Sequence, residues 1–292
     1  MRRYGFIYNP RSGDGRRRGL VHAAEAVLRE AGREVHEFDG NADPVRAAHA
    51  ALAAGCDVLV ACGGDGTVNA VASAVYQTGA ALAVLPVGTL NHFARDLGIH
   101  SLAEAERVLL EGEVRHIDVG FVNGNLFVNN SGVGIYPVMV REREKVQRLG
   151  IPKWPAFLWA FVKTAARMPF LRLRIDSDGR HTARHTSFLF VGNNLYSLEG
   201  KCLGSRESLS AGVLTVCTAH DVGIFGLARF AVRALFGTLR EDRDFVAFPA
   251  KRLTVHRKRR FHVSLDGEVR RLKSPLEYSI KPGALRVLGP GQ

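Results

Sequence analysis

The run at 57–62 (DVLVAC) passes without a break into Gly63-Gly64-Asp65-Gly66-Thr67. An apolar run with no polar face suits a strand covered on both sides, as in a parallel sheet. The paired glycines mark a tight turn, and 67–77 has helical spacing. The same alternation surrounds this segment. Residues 4–8 are a short apolar run ending at Asn9-Pro10, and 16–31 carries Leu20, Ala23, Ala24, Val27 and Leu28 at helical spacing before Gly32. Next come a strand at 34–38, an Ala-rich helix at 44–54, a strand at 81–85 ending at Pro86, and a helix at 102–111. This βαβα order predicts an α/β domain with a mostly parallel sheet and helices on both faces.

Near Val114 the rhythm changes. Residues 116–133 read as short strands broken by the turn signal Asn123-Gly124, and further strands are expected at 171–176, 186–192, 212–218, 252–257 and 261–265. The expectation is a second, mainly antiparallel β domain over 115–277, after the α/β domain over 1–114 onto which 278–292 packs back. Three helical insertions interrupt it: 138–149 is highly charged, 153–168 sets Trp154 and Trp159 beside Lys163 and Arg167, and 223–239 is apolar apart from Arg229 and Arg233. Such helices suit either a core or a membrane surface.

Composition narrows the class. With 292 residues, 46% hydrophobic and 23% charged, the chain can bury a full core without a metal or disulfide staple. No apolar run approaches the ~20 residues of a spanning helix. The cysteines Cys56, Cys62, Cys202 and Cys217 are scattered, which points to reduced thiols and a cytoplasmic protein. The net charge of +12 suggests an anionic partner: nucleic acid, nucleotide or anionic bilayer.

The chemistry concentrates in loops that follow strands. Glycines at 63, 64 and 66 let the backbone approach a phosphate, and the helix behind them offers unpaired N–H groups. Thr67 can cap that helix or touch a phosphate oxygen, and Asp65 could orient a magnesium-bound nucleotide. There is no GxxxxGK[ST], and the pattern does not fit GxGxxG. Asn9-Pro10-Arg11-Ser12-Gly13 and Pro86-Val87-Gly88-Thr89-Leu90-Asn91 fall at the same predicted sheet edge, where open α/β sheets bind ligands. Ser264-Leu265-Asp266-Gly267-Glu268 follows a strand of the second domain. A bare Asp-Gly is a hairpin turn. Two carboxylates beside a glycine also suit handling of a metal or a proton.

In this order, NPRSG, GGDGT, LPVGTLNHFARDLGI and LDGE resemble the bacterial diacylglycerol-kinase-like lipid kinases, relatives of sphingosine and ceramide kinases. The resemblance runs from Tyr4 to about Leu288. It implies ATP and Mg2+, with the nucleotide lined by Asn9, Pro10, Ser12, Gly13, Gly63, Gly64, Asp65, Gly66, Thr67, Asn69, Gly88, Thr89 and Asn91. It also implies Glu268 as the base for a lipid hydroxyl, Asp266 beside it, and Asp65 and Asp266 at the metal across an interdomain cleft. Some members hold a structural magnesium through an aspartate just before a glycine; here Ala211 stands at that position. The expected partner is then a lipid, diacylglycerol first, at an anionic membrane surface, with 251–260 (KRLTVHRKRR) and the helix at 141–148 as candidate docking patches. No nucleic-acid module is recognisable, and a homodimer is possible on this reading. A kinase of a soluble substrate such as NAD, or a silent lipid- or nucleotide-binding regulator, would fit the same loops.

Overall fold

The computed structural model describes residues 2–8, 15–41, 43–88, 91–134, 171–186, 188–197, 206, 208–219, 245–257 and 260–291. The loop 9–14, Thr89, Leu90 and the three expected helical insertions lie outside these residues. The chain divides into two compact units, Met1–Val119 with Pro282–Gln292, and Gly120–Lys281.

The first unit is a mostly parallel sheet. Strands β1 (Arg3–Tyr8), β2 (Glu34–Asp39), β3 (Val58–Cys62) and β4 (Ala81–Leu85) lie in the order β2-β1-β3-β4, all pairs parallel. β3 and β4 are buried along their whole length, as their unbroken apolar runs require. Helices α1 (Gly15–Glu30), α2 (Pro44–Ala53), α3 (Asp65–Val75) and α5 (Leu102–Glu111) cover the sheet; α4 (His92–Asp96) is a single short turn of helix. α1 packs with α5, and α2 packs with α3. The strand order explains this grouping. The chain steps one way from β1 to β2 and the other way from β2 over β1 to β3 and β4, so right-handed crossovers put α1 on one face and α2 and α3 on the other. The buried Tyr4 hydroxyl ties the α5 side down by donating to the Leu109 carbonyl at 2.8 Å.

The last strand, β16 (Leu276–Gly289), ends in this unit. Val287 pairs in parallel with Leu82 of β4, and the Arg286 and Arg115 guanidiniums donate to the Gly79 and Pro290 carbonyls. β5 (Glu113–Val122) also pairs with β16.

The second unit holds the antiparallel β structure. One sheet runs β12 (Phe245–Ala250), β11 (Leu214–Ala219), β10 (Phe188–Asn193), β7 (Asn130–Gly134), β14 (Phe261–Leu265), β15 (Glu268–Leu272). Beside it, β13 (Arg252–His256) pairs with the first half of β16 and with β8 (Leu171–Ser177), and β8 pairs with β9 (Arg180–Thr186); β5 forms a hairpin with β6 (Asn125–Phe127). The core between them mixes both groups: Val133, Leu189, Val191, Val216 and Phe261 with Leu173, Ile175, Val255 and Tyr278.

Three hairpins share one turn. Asn123-Gly124, Asp178-Gly179 and Asp266-Gly267 each place both central residues at positive φ, the two-residue geometry that matches strand twist. In each, the first residue's side chain also anchors a neighbouring segment. Asn123 Oδ1 accepts from Glu277 N, and Asp178 accepts from Lys251 N and Arg252 N. Asp266 accepts from Val128, Asn129 and Asn130 N.

Candidate active site

The order β2-β1-β3-β4 reverses its direction between β1 and β3, and this is the switch point outside which open α/β sheets take their ligands. Tyr8 and Cys62 are register partners at the carboxyl ends of these strands. The loop leaving Tyr8 carries Asn9, Pro10, Ser12 and Gly13, outside the described residues. The loop leaving Cys62 is Gly63-Gly64, which leads straight into α3.

Gly64 is the N-cap of α3 and supplies no side-chain hydrogen bond. Its carbonyl takes Val68 N at 3.1 Å, and as a glycine it offers the first turn of α3 no side-chain cap of its own. A helix start behind a glycine N-cap suits an anion, since no side chain covers it from the cap and the dipole's positive end faces out. A second glycine closes on it: a Cβ on Gly88 would sit 2.4 Å from the Gly64 Cα and 2.7 Å from its N. The β3–α3 and β4–α4 loops thus touch backbone to backbone, which only glycine permits. Gly63 is confined in the same way, by the Thr67 side chain.

Asp65 faces the next loop. Its two carboxylate oxygens accept His92 N at 3.3 Å and Phe93 N at 3.1 Å, so a residue of α3 caps the start of α4. α4 needs this because its own N-cap, Asn91, is left-handed and makes no capping bond. Asn91 instead donates through Nδ2 to the Pro86 and Gly88 carbonyls, each at 3.0 Å, holding the glycine loop shut. Its buried Oδ1 has no hydrogen-bond partner. Asn69 is buried on α3. The chain therefore brings Gly63, Gly64, Asp65, Gly66, Thr67, Gly88 and Asn91 into one assembly. His92 contributes its backbone N–H, with its side chain exposed.

In the second unit, Asp266 is 9% exposed and spends both oxygens on backbone amides, at 2.7, 2.8 and 2.9 Å. The segment that it grips is itself pinned. Arg206 Nη1 donates to the Val128 carbonyl at 2.6 Å and Nη2 to Asn129 Oδ1 at 2.9 Å, Asn193 Nδ2 donates to the Val128 carbonyl, and the Tyr196 hydroxyl to the Asn129 carbonyl. Glu268 opens β15 with 60% of its side chain exposed, 3.5 Å from Arg270 Nη2. Sequence reasoning missed this clamp, because Val128–Asn130 and Arg206 are remote from Asp266 in the chain. Ala211 supplies no carboxylate; its N–H donates to Asn194 Oδ1 at 2.7 Å.

Residues 3–122 match the diacylglycerol kinase catalytic domain, and 135–289 match the YegS C-terminal NAD kinase beta sandwich-like domain. The chain is 30% identical to a Bacillus subtilis diacylglycerol kinase over 92% of its own length and 90% of the relative's. It belongs to the diacylglycerol kinase family. The enzyme is a lipid kinase. A Pseudomonas aeruginosa relative named "Probable lipid kinase YegS-like" is 35% identical over 91% of this chain and 88% of that one. The fold recurs in a crystal structure from Bacillus anthracis str. Sterne, at a TM-score of 0.76 and 23% identity over 98% of this chain and 97% of the other. No helix among the described residues is long and apolar enough to cross a membrane.

Proposed function

We propose that this lipid kinase transfers the γ-phosphoryl group of ATP to the free hydroxyl of diacylglycerol. The observation that carries the nucleotide half is the approach of Gly88 to Gly64 at the glycine N-cap of α3, where two side-chain-free backbones let phosphate oxygens come close to a helix start. The acceptor follows the diacylglycerol kinase of B. subtilis. Glu268 accepts the proton of the attacking hydroxyl; the oxygen then takes the phosphoryl group and ADP leaves. Asp266 is a positioning residue: with three amides on its oxygens, it holds the left-handed turn from which Glu268 projects. Asp65 keeps α4 and the Gly88 loop in place and is the carboxylate suited to the nucleotide's magnesium, since its backbone bonds are long and it stands half-buried. That ion supplies neutralisation of the phosphate charge. Lys251, Arg252, Arg260, Arg270, Arg271 and Lys273 are exposed on the second unit and suit an anionic lipid surface, at ~1 kcal/mol for each charge near it.

The test is transfer from labelled ATP in mixed micelles to diacylglycerol, ceramide and phosphatidylglycerol, with NAD as the soluble control. Expected is a labelled phosphatidic acid product, reduced about 10²–10⁴-fold in Glu268→Gln with the KM for ATP unchanged. Transfer to NAD alone, or an undiminished rate in Glu268→Gln, overturns the reading.

A further inference from the structure

His22 and Glu25 stand three residues apart on α1, and hence on one face of that helix. Glu37 of β2 meets them: one ligand atom from each of the three lies within 4.8 Å of the others. The Glu25 side chain is fully buried. Its Oε1 has no hydrogen-bond partner, and Oε2 has Arg29 Nη1 at 3.4 Å. A buried carboxylate oxygen with nothing to accept from is costly, and two carboxylates turned on one another add to the cost. Arg29 answers part of that cost from the rim, 3.4 Å from Glu25 and 4.0 Å from Glu37, and leaves Glu25 Oε1 without a partner.

We propose that His22, Glu25 and Glu37 form a binding site for a divalent transition-metal cation. An imidazole with two carboxylates is a donor set for Zn2+, Mn2+, Co2+ or Fe2+ and lacks the many oxygens that Ca2+ requires. The two carboxylate charges balance a divalent ion. The Tyr8 hydroxyl at the end of β1 donates to Glu37 Oε2 at 3.0 Å, which orients that ligand from behind. Arg18 contacts His22, and Arg29 stands 4.0 Å from Glu37 and 49% exposed, so both competing cations are long side chains with solvent to move into. The buried Cys62 thiol on β3 feels both carboxylates. Burial, and then Glu37, push the Glu25 carboxyl up to about 7. Glu37, although burial opposes its charge, is held below the usual carboxylate range by Tyr8 and Glu25.

The site lies wholly within the first unit and does not rest on the kinase reading. Metal-stripped full-length protein, free of nucleotide, is titrated with Co2+ and Zn2+ at pH 8 and at pH 6. Calorimetry reads stoichiometry, the visible Co2+ spectrum reads coordination, and thermal unfolding reads stabilisation. Expected is one ion per chain, a tetrahedral Co2+ band and a Tm that climbs with ion concentration at both pH values. Glu25→Gln and Glu37→Gln, which keep size and shape, each abolish the band and the Tm rise, while Glu268→Gln keeps both. The proposal is overturned by the absence of saturable binding, or by binding that survives Glu25→Gln and Glu37→Gln. It is equally overturned by a Tm that varies with pH but ignores the ions, the mark of a proton shared between the two carboxyls.

Discussion

At the scale of single residues, Gly88 makes the sharpest demand. Its missing Cβ is the space in which Gly64 sits, and both neighbours that a methyl would strike first include backbone or the anchored Asn91 side chain. Gly88→Ala must push the β3–α3 and β4–α4 loops apart. We expect a loss of about 1–3 kcal/mol by chemical denaturation, the usual range for forced overpacking, together with a several-fold higher KM for ATP in the transfer assay. Unchanged values of both would show that the loops do not need this contact. Asp65 shows what a sequence can and cannot tell at this scale. Its turn is legible from GGDG alone, because glycines after a buried strand leave few conformations. Its bonds to His92 N and Phe93 N are not, because they join positions 27 and 28 residues apart that only the sheet order brings together.

At the scale of elements, strong local signals were legible and weak ones were not. α5 is read to its ends because Ser101 caps it, Glu104 answers from the first turn and Gly112 stops it. Of the four strands that escape the reading, β9, β12 and β15 are outermost in their sheets, and β16 is not. An edge strand faces solvent, so RHTARHT and EVRRL show little apolar alternation, while FVAFPA carries a proline that only an edge tolerates. β16 was hidden by Pro282-Gly283 in its middle. The hairpin β14–β15 carries this paragraph's prediction. Asp266→Ala leaves the Val128, Asn129 and Asn130 amides without their acceptor and a left-handed residue without its anchor. Stability should fall by about 2–4 kcal/mol, since each lost charge-assisted bond contributes roughly 1.5–3 kcal/mol before relaxation. In Asp266→Asn, which keeps the shape and one acceptor oxygen, kcat should fall while the KM for ATP stays level. A rise in the KM for ATP with kcat unchanged would place Asp266 at the nucleotide instead.

At the scale of the whole molecule, the alternation of strand and helix before Val114 and its loss afterwards carried most of the architecture, because each sheet type leaves its own period in the sequence. The boundary itself was less legible, because β5 and β16 are continuous strands that each begin in one unit and end in the other. The chain leaves the first unit after Val119 and re-enters at Pro282. Those two points are neighbours: the Asp118 carboxylate accepts Gly283 N at 2.8 Å. The second unit is thus a guest spliced into a host whose wound is already closed, the arrangement in which module insertion and removal are tolerated. Deleting 120–281 and bridging the gap with a short glycine linker should leave a small protein that unfolds cooperatively and gains Tm with ATP, yet phosphorylates nothing. Failure of that fragment to fold would mean that host and guest have become one folding unit. Its success would make the first unit a portable receptacle, open to partner modules other than the one it now carries.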